Sequence, residues 1–377
     1  MFKSEAVFVS GCICFIFSKT LFQLNYPEFT TFPEQGMGFD SSEYEYRISK
    51  SYQLLSPYSY LTGIPLYNLS NLADRLVDRP PRNEGGVCGE SGLNADHSPL
   101  QLCITTKAKK IQCRLIADPA TDEAILERRY LRAQEALTKL IPLTRSDGNA
   151  TLIASLLENF GPQNNIPVSL FRYGVFWLGA SAETPGLAVY IDTSIHSIDS
   201  AWEKADNFIE CIFSNIYRST AVLQNIREYC WLSSIGIEGS TPDNSRLKLY
   251  IRMHTQLPEG IIGNVFPPLS DLGRSGCFAA IMGEKGLSFE DILFCFGFHL
   301  VTGELIDIKI DISGSELQMS GDNLAQSVNY CCQSLGLHPI PINNIFDRFN
   351  IAVSFIGIGI NANRQKRLNI YLKGGSL

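Results

Sequence analysis

Residues 246–252 read RLKLYIR, an alternation of polar and apolar side chains. Similar stretches occur before and after it, namely GLAVYID at 186–192, IDIKIDI at 306–312 and RLNIYLK at 367–373. Intervals of 60, 61 and 60 residues separate their matching positions, which are Tyr190, Tyr250, Asp311 and Tyr371. So constant a period indicates one structural unit used several times. The alternation is typical of β-strands whose two faces differ, so the sequence predicts a sheet or barrel built from repeated pieces.

Around these stretches the chain divides into five pairs of strand-like segments. The pairs are 98–105 with 109–119, 168–178 with 186–192, 229–237 with 245–253, 292–300 with 305–313, and 349–360 with 365–374. Segments long and apolar enough for amphipathic helices lie between them, at 122–141, 200–213, 270–282 and 323–335. The prediction is an α+β fold: a ten-stranded antiparallel β-barrel with a solvent-accessible lumen, surrounded by α-helices, in five repeats. We expect residues 86–377 to form this single barrel domain and residues 1–85 to be an N-terminal extension packing on it.

The alternation also assigns the two faces of each strand. In the third pair Arg246, Lys248 and Tyr250 share one face, whereas Leu247 and Leu249 share the other. The polar face is either the solvent side of an ordinary sheet or the lining of a barrel lumen. Because the helices must bury their apolar stripes against the sheet, we favour the lumen. Ten strands make a barrel wide enough to keep a cavity.

Composition excludes several classes of protein. The 377 residues carry a net charge of −7, without the basic face of a nucleic-acid-binding protein. Eleven cysteines without a CxxC pair and five scattered histidines without HExxH spacing signal no metal site, and the cysteines are typical of a reducing cytoplasm. The apolar segment 6–18 is shorter than the roughly 20 residues of a membrane helix, so we expect a cytoplasmic protein without stable membrane insertion.

A lumen lined in this way would concentrate positive charge. The basic residues on inward faces are Arg114, Arg246, Lys248, Lys309 and Arg367. Arginine suits phosphate groups because its planar fork donates two parallel hydrogen bonds. Three repeats also place a tyrosine at the matching position, and tyrosine rings beside an anion site suit a carbocation that forms next to a departing pyrophosphate. For any single hairpin, such alternation is more typical of a solvated face.

Across residues 90–377 the chain resembles the aromatic prenyltransferases of the ABBA type, in particular the indole (dimethylallyltryptophan synthase-like) branch. Asp96–Gln101 stands where that family has D-x-x-P-x-E, followed by Arg114 and Pro119. The family signature Arg-x-Lys-x-Tyr is complete at residues 246–250, and the closing strand shares Asn369 and Tyr371 with the family's N-x-Y-F ending.

The resemblance implies metal-independent transfer of an allylic prenyl group from its pyrophosphate to an indole ring of a tryptophan-derived acceptor in secondary metabolism, as in alkaloid biosynthesis. Arg114, Arg246 and Lys248 would hold the pyrophosphate, and we add Lys309 and Arg367 to this set. Tyr190, Tyr250 and Tyr371 would shield the allylic cation. Gln101, Trp177 and Trp231 are the candidate acceptor-binding residues. No cofactor is expected, and the lack of a DDxxD motif agrees with ionisation that does not require magnesium.

The chain departs from the family pattern at three places. Gln101 replaces a glutamate that anchors the indole N–H, and a glutamine cannot take a proton. The base would then be His97, Asp311, water or pyrophosphate. Ala188 replaces a lysine, and Lys309-x-Asp311 replaces a Gln-x-Tyr pair, so Lys309 could restore the charge lost at Ala188.

Several alternatives stay open at this stage. The donor is dimethylallyl or geranyl pyrophosphate, and the chain is a monomer or homodimer. The partners expected are small-molecule substrates, not nucleic acid. The nearest rival activity is O- or N-prenylation of a phenol or peptide side chain. A non-catalytic barrel that binds an amphipathic small molecule is the rival from another class.

Overall fold

The computed structural model describes residues 41–78, 89–163, 166–213, 223–255, 266–282, 292–314, 317 and 321–375. Ten β-strands run through this part of the chain. They are β1 (Leu100–Thr106), β2 (Ile111–Ala117), β3 (Phe176–Ala180), β4 (Leu187–Asp192), β5 (Cys230–Gly239), β6 (Arg246–Met253), β7 (Ile292–His299), β8 (Leu305–Ser313), β9 (Ile351–Asn361) and β10 (Lys366–Gly374).

The strands form a closed antiparallel barrel in which each strand pairs with the next along the chain. The seam between β1 and β10 closes the barrel, with Cys103 opposite Tyr371 and Thr105 opposite Asn369. The predicted ten-stranded barrel is therefore confirmed.

The two faces of the barrel have the chemistry that the alternation predicts. On β6, Leu247 and Leu249 are fully buried on the outer side. Arg246, Lys248 and Tyr250 line a cavity inside the barrel. The polar face is thus the lumen, and apolar packing between sheet and helices forms the core.

Helices surround the barrel in the described part of the chain. They are α1 (Ser41–Tyr52), α2 (Leu55–Thr62), α3 (Leu66–Val77), α4 (Leu126–Leu143), α5 (Ala150–Phe160), α6 (Ile198–Ile212), α7 (Leu269–Gly273), α8 (Cys277–Met282), α9 (Gly321–Leu335) and α10 (Ile342–Arg348). α6 packs on β5, α5 on β4 and β5, and α9 on β10. Ser197 caps α6 by accepting a hydrogen bond from the Ser200 backbone N–H.

Three local details differ from the sequence-based expectations. Residues 168–175 do not extend β3, since 168–170 form a short 3-10 turn and the strand begins at Phe176. The helix expected over 270–282 is two short helices, because the chain turns at Gly276 with a φ of 71°. Neither α5 nor α10 was predicted.

The segment assigned to an N-terminal extension contains three helices against the barrel. α1 contacts β1 and β10, and α2 and α3 contact β2. Residues 1–40, which include the apolar segment 6–18, and residues 79–88 lie outside the described residues. Among the helices that are described, none has the length and hydropathy needed to cross a bilayer.

Candidate active site

The barrel encloses a cavity of about 1300 Å³. All but one of the pyrophosphate-binding, acceptor-binding and cation-shielding residues predicted from the sequence line it: Gln101, Arg114, Trp177, Tyr190, Arg246, Lys248, Tyr250, Lys309, Arg367 and Tyr371. The exception is Trp231, which lies opposite Arg252 near the start of β5 and is not among the lining residues in the described part of the chain.

One carboxylate organises the basic residues at one end of the cavity. Glu238 Oε1 accepts from Arg114 at 2.8 Å and from Arg246 at 2.9 Å. Its Oε2 accepts from Lys248 at 2.6 Å and from the hydroxyl of Tyr190 at 3.1 Å. Glu238 is 7% exposed, so these charges interact in a poorly solvated environment.

A second carboxylate completes this network. Asp307 pairs with Arg246 and, at 3.0 Å, with Arg367. Arg246 therefore bridges Glu238 and Asp307 through two different guanidinium nitrogens. Four cations and two carboxylates share this part of the lumen, which leaves an excess of positive charge. We call Arg114, Arg246, Lys248, Arg367, Glu238 and Asp307 the charged layer.

The protonation states follow from these contacts. Burial raises the pKa of Glu238, but the charges of Arg114, Lys248 and Arg246 outweigh this effect and hold it well below its usual value. Burial likewise raises the pKa of Asp307, and Arg367 and Arg246 reverse the shift and bring it far below its usual value. Both carboxylates are therefore ionised at neutral pH.

A second group lies beside the charged layer. Lys309 Nζ contacts Asp311 Oδ2 and the hydroxyl of Tyr371, both at 2.5 Å. The same ammonium is 5.5 Å from the ring centroid of Tyr250, within the range of a cation–π contact. Tyr250 in turn meets Tyr190 edge to face, with 5.7 Å between the ring centroids. We call Tyr190, Tyr250, Tyr371, Lys309 and Asp311 the tyrosine cage.

Burial sets the ionisation of the cage as well. It raises the pKa of Tyr190, Tyr250 and Tyr371 well above 10, so all three stay neutral phenols. Burial lowers the pKa of Lys309, but Asp311 reverses this and leaves it above its usual value. The cage thus already holds one cation, the ammonium of Lys309, neutralised by Asp311.

Small residues make room for these long side chains. A Cβ on Gly357 would lie 2.0 Å from Asp311 Oδ1 and 3.1 Å from Lys309 Cδ. A Cβ on Gly359 would lie 2.8 Å from the guanidinium carbon of Arg367. Both glycines are on β9, beside β8 and β10, where the backbone must be approached closely.

Gln101 is held in one orientation by a neighbour that sequence reasoning missed. Asn94 donates through Nδ2 to the backbone carbonyls of Ser98 and Leu100, which fixes its amide. Its Oδ1 accepts from Gln101 Nε2 at 3.1 Å and from Ser354 at 2.7 Å. Since its amide nitrogen is engaged in this way, Gln101 has its carbonyl oxygen left to accept from a ligand.

The candidate bases differ sharply in position. His97 stacks on Tyr173 with 5.9 Å between ring centroids, and its Nδ1 is 2.9 Å from the carbonyl oxygen of Ser91. It is not among the residues that line the cavity in the described part of the chain. Three carboxylates line the cavity in the described chain: Glu238, Asp307 and Asp311. Asp311 Oδ1 is buried without a hydrogen-bond partner, whereas both oxygens of Glu238 and of Asp307 are engaged.

The proposed compensation of Lys309 for the lysine missing at Ala188 stays a prediction, and the structure shows where Lys309 lies. Its strand β8 is separated from β4 by three strands in the barrel, and its ammonium is bound within the cage. Among the described residues, no cluster of three or more His, Cys, Asp or Glu side chains is placed to hold a metal ion.

The mouth of the barrel next to the charged layer is also basic. The hairpin between β1 and β2 contributes Lys107, Lys109 and Lys110, and the adjacent hairpin between β9 and β10 contributes Arg364 and Lys366. Such a rim raises the local concentration of anions and speeds their entry.

A closed ten-stranded barrel with helices outside and a charged lumen is the fold of the ABBA prenyltransferases. No family model and no curated protein matches the chain. Solved structures match in fold. A 5-dimethylallyltryptophan synthase from Streptomyces coelicolor has a TM-score of 0.64 at 12% identity, over 86% of this chain and 97% of that one.

Two further structures show the same similarity. AnaPT from Neosartorya fischeri has a TM-score of 0.64 at 12% identity, over 89% of this chain and 95% of that one. A 6-dimethylallyltryptophan synthase from Micromonospora olivasterospora, in complex with DMASPP and Trp, has a TM-score of 0.63 at 12% identity, over 87% and 97%. The chain therefore has the barrel fold of the indole prenyltransferases.

Proposed function

We propose that the chain is an aromatic prenyltransferase that moves an allylic prenyl group from its pyrophosphate to an indole ring. The observation that carries this proposal is the contact between the charged layer and the tyrosine cage through Tyr190, within one cavity. An anion site against a cage of neutral aromatic rings matches the two fragments into which a prenyl pyrophosphate ionises. The neighbours that share the fold include a complex with DMASPP and Trp, which supports the same chemistry here.

In the proposed reaction the C–O bond of the donor breaks heterolytically. Arg114, Arg246, Lys248 and Arg367 would stabilise the charge that develops on the leaving pyrophosphate. The rings of Tyr190, Tyr250 and Tyr371 would stabilise the allylic cation and exclude water from it. We propose that these cations replace a metal ion in this step.

The acceptor would then be alkylated beneath the cation. The carbonyl of Gln101 would accept the indole N–H and orient the ring. A ring carbon supplies the electron pair of the new C–C bond, and the proton lost as the ring regains aromaticity goes to Asp311 Oδ1. We propose Asp311 as this general base because its free oxygen distinguishes it from Glu238 and Asp307. Trp177, which also lines the cavity, is a candidate to pack against the acceptor.

One observation favours the alternative of a non-catalytic barrel that binds an amphipathic small molecule. Burying unpaired charges is costly, which counts against a carrier of neutral ligands. The pairing of the cavity cations with Glu238, Asp307 and Asp311 removes much of that cost.

O- or N-prenylation of a phenol or peptide side chain is the rival within the enzyme class. Cytoplasmic location and a monomeric or homodimeric state stay predictions.

The test is a mass-spectrometric assay of the purified protein in EDTA. Dimethylallyl and geranyl pyrophosphate are offered with tryptophan, cyclic tryptophan dipeptides, indolactam, tyrosine and dihydroxynaphthalene. A mass gain of one prenyl unit on an indole supports the proposal, and the EDTA tests its metal independence. Lys248→Ala should abolish the product, whereas Lys139→Ala, whose side chain is 65% exposed on α4, should not. No product and no pyrophosphate release with any acceptor would favour the binding protein.

A further inference from the structure

Glu238 has the surroundings of a bound anion. Two guanidinium groups, one ammonium and one phenol converge on its two oxygens at 2.6–3.1 Å. They come from three strands, with Arg114 on β2, Tyr190 on β4, and Arg246 and Lys248 on β6. Four donors on one carboxylate are what an anion-binding site supplies to its ligand.

These donors already have roles in the proposed function: Arg114, Arg246 and Lys248 hold the pyrophosphate. The fourth, Tyr190, belongs to the tyrosine cage. A further acidic group, Asp307 on β8, shares Arg246 with Glu238. The thiol of Cys295 on β7 is close enough for Lys248 to lower its pKa, against a larger rise caused by burial. With two carboxylates among four cations, the excess positive charge of the layer is smaller than the negative charge of a prenyl pyrophosphate. An incoming pyrophosphate therefore meets donors that are already engaged and a carboxylate that repels it.

We propose that Glu238 is an internal competitor for the anion: its carboxylate occupies the donors of the pyrophosphate site and so sets the affinity of that site. The inference rests on the proposed function for the identity of the anion as a pyrophosphate. It assigns control of the affinity of the anion site to a residue that does not itself bind the substrate.

Two consequences follow from the electrostatics. Removing the charge of Glu238 frees three cations, so a neutral amide at this position strengthens anion binding. A bound pyrophosphate also cancels the field of Arg114, Arg246 and Lys248 that keeps the carboxyl ionised. Glu238, buried beside a new negative charge, then takes up a proton as the anion binds.

The experiment is calorimetric titration of the full-length protein with inorganic pyrophosphate, so it requires no turnover. We expect Glu238→Gln to bind pyrophosphate about tenfold more tightly than the wild type. Glu135→Gln makes the same charge change on the exposed face of α4 and should leave the affinity unchanged. Equal or weaker binding by Glu238→Gln would overturn the proposal.

A second measurement on the wild type covers the case in which Glu238→Gln does not fold. Titrations of the wild type with sulfate, which has no titratable proton near neutral pH, in buffers of different ionisation enthalpy give the number of protons that the protein itself exchanges. We expect net proton uptake, whereas no exchange or proton release would overturn the proposal. If prenyl transfer is absent but both results hold, the proposed function fails and Glu238 keeps its role at an anion site. If neither the wild type nor Glu238→Gln binds pyrophosphate, the role of Glu238 and the proposed function are both overturned.

Discussion

Asn94 Oδ1 accepts a hydrogen bond from Gln101 Nε2 at 3.1 Å, and this contact determines which end of the Gln101 amide is left to accept from a ligand. Without it the glutamine could turn its NH₂ toward an indole N–H, which would place two donors against each other. Asn94 is therefore a positioning residue for the proposed acceptor site. It acts through Gln101.

Asn94→Ala should raise the KM for the acceptor about fivefold, the equivalent of one hydrogen bond of about 1 kcal/mol, with a smaller effect on kcat. Steady-state kinetics with the acceptor varied measure the split. Ser354→Ala removes the other side-chain donor to Asn94 Oδ1 and should have a weaker effect in the same direction. A fall in kcat with unchanged KM would contradict this role.

Asp311→Asn should reduce kcat by roughly 10² because the amide cannot accept the ring proton. With an acceptor deuterated at the position attacked, a kinetic isotope effect should appear or increase in the variant, since loss of this proton becomes slow. Gln101→Leu should instead raise the acceptor KM without changing the isotope effect. An Asp311→Asn enzyme with wild-type turnover would rule out Asp311 as the base.

Arg246→Lys should destabilise the folded protein by roughly 1–3 kcal/mol, because lysine cannot bridge Glu238 and Asp307 and a buried carboxylate loses a partner. Urea denaturation measures the free energy of unfolding. Arg274→Lys is the matched control: its pair with Asp271 is exposed on the arginine side, so the change should cost under about 1 kcal/mol. Equal losses in the two variants would contradict the importance of the bridge.

Gly357→Ala should cost roughly 1–3 kcal/mol, because its Cβ would overlap Asp311 Oδ1 and force the Lys309 pair to move. Thermal unfolding with calorimetry gives the loss. Gly179→Ala is a milder change inside the same barrel, where the nearest atom would be 3.2 Å away. A similar loss in both variants would show that the clash at Gly357 adds no cost beyond that of a glycine-to-alanine change in this barrel.

The pKa shifts of Glu238 and Asp307 predict how stability depends on pH. Both values are lower in the folded than in the unfolded chain, so the unfolded chain binds more protons in acid. Their contribution is therefore fully present above the ordinary pKa values of 4.5 for Glu and 3.8 for Asp, and it is lost as pH falls below these values toward the lower pKa values of the folded chain. Urea denaturation at pH values from 7 to 3 should show a falling free energy of unfolding. The fall with pH should be less steep for Asp307→Asn, which has lost one of the two carboxylates. A loss confined to the range above pH 6 would contradict it.

The barrel could be predicted from the sequence because the pattern that encodes it is regular. The interval of about 60 residues marks the repeats, and the alternation of Arg246, Lys248 and Tyr250 with leucines marks the inner face. The interior positions of ten predicted strands then follow from the period of two. Helix boundaries near 270–282 were less predictable, because a tight turn at one glycine outweighs the helical pattern around it.

The partners of the predicted cations were harder to find. Glu238 is a single acidic residue at the end of the apolar run SSIGIEG, with no motif around it. Its importance comes from strand pairing, which places it opposite Arg246 and Ala188. Asn94 lies before the first strand and meets Ser354 from β9, a contact between residues far apart in the chain. One available signal was the alternation of β5, which places Glu238 on the same face as Gly236.

The seam between β1 and β10 has a consequence for the folding of this chain. It joins residues such as Thr105 and Asn369, 264 positions apart, so its formation carries the largest loop-closure entropy in the barrel. Sheets dominated by such distant pairings fold slowly. Arg367 and Tyr371 reach the cavity from the strand that makes this seam, opposite Cys103 and its neighbours on β1. We therefore expect the charged layer to be completed late in folding, so that binding of pyrophosphate at the proposed site lags behind the formation of helices in a refolding experiment.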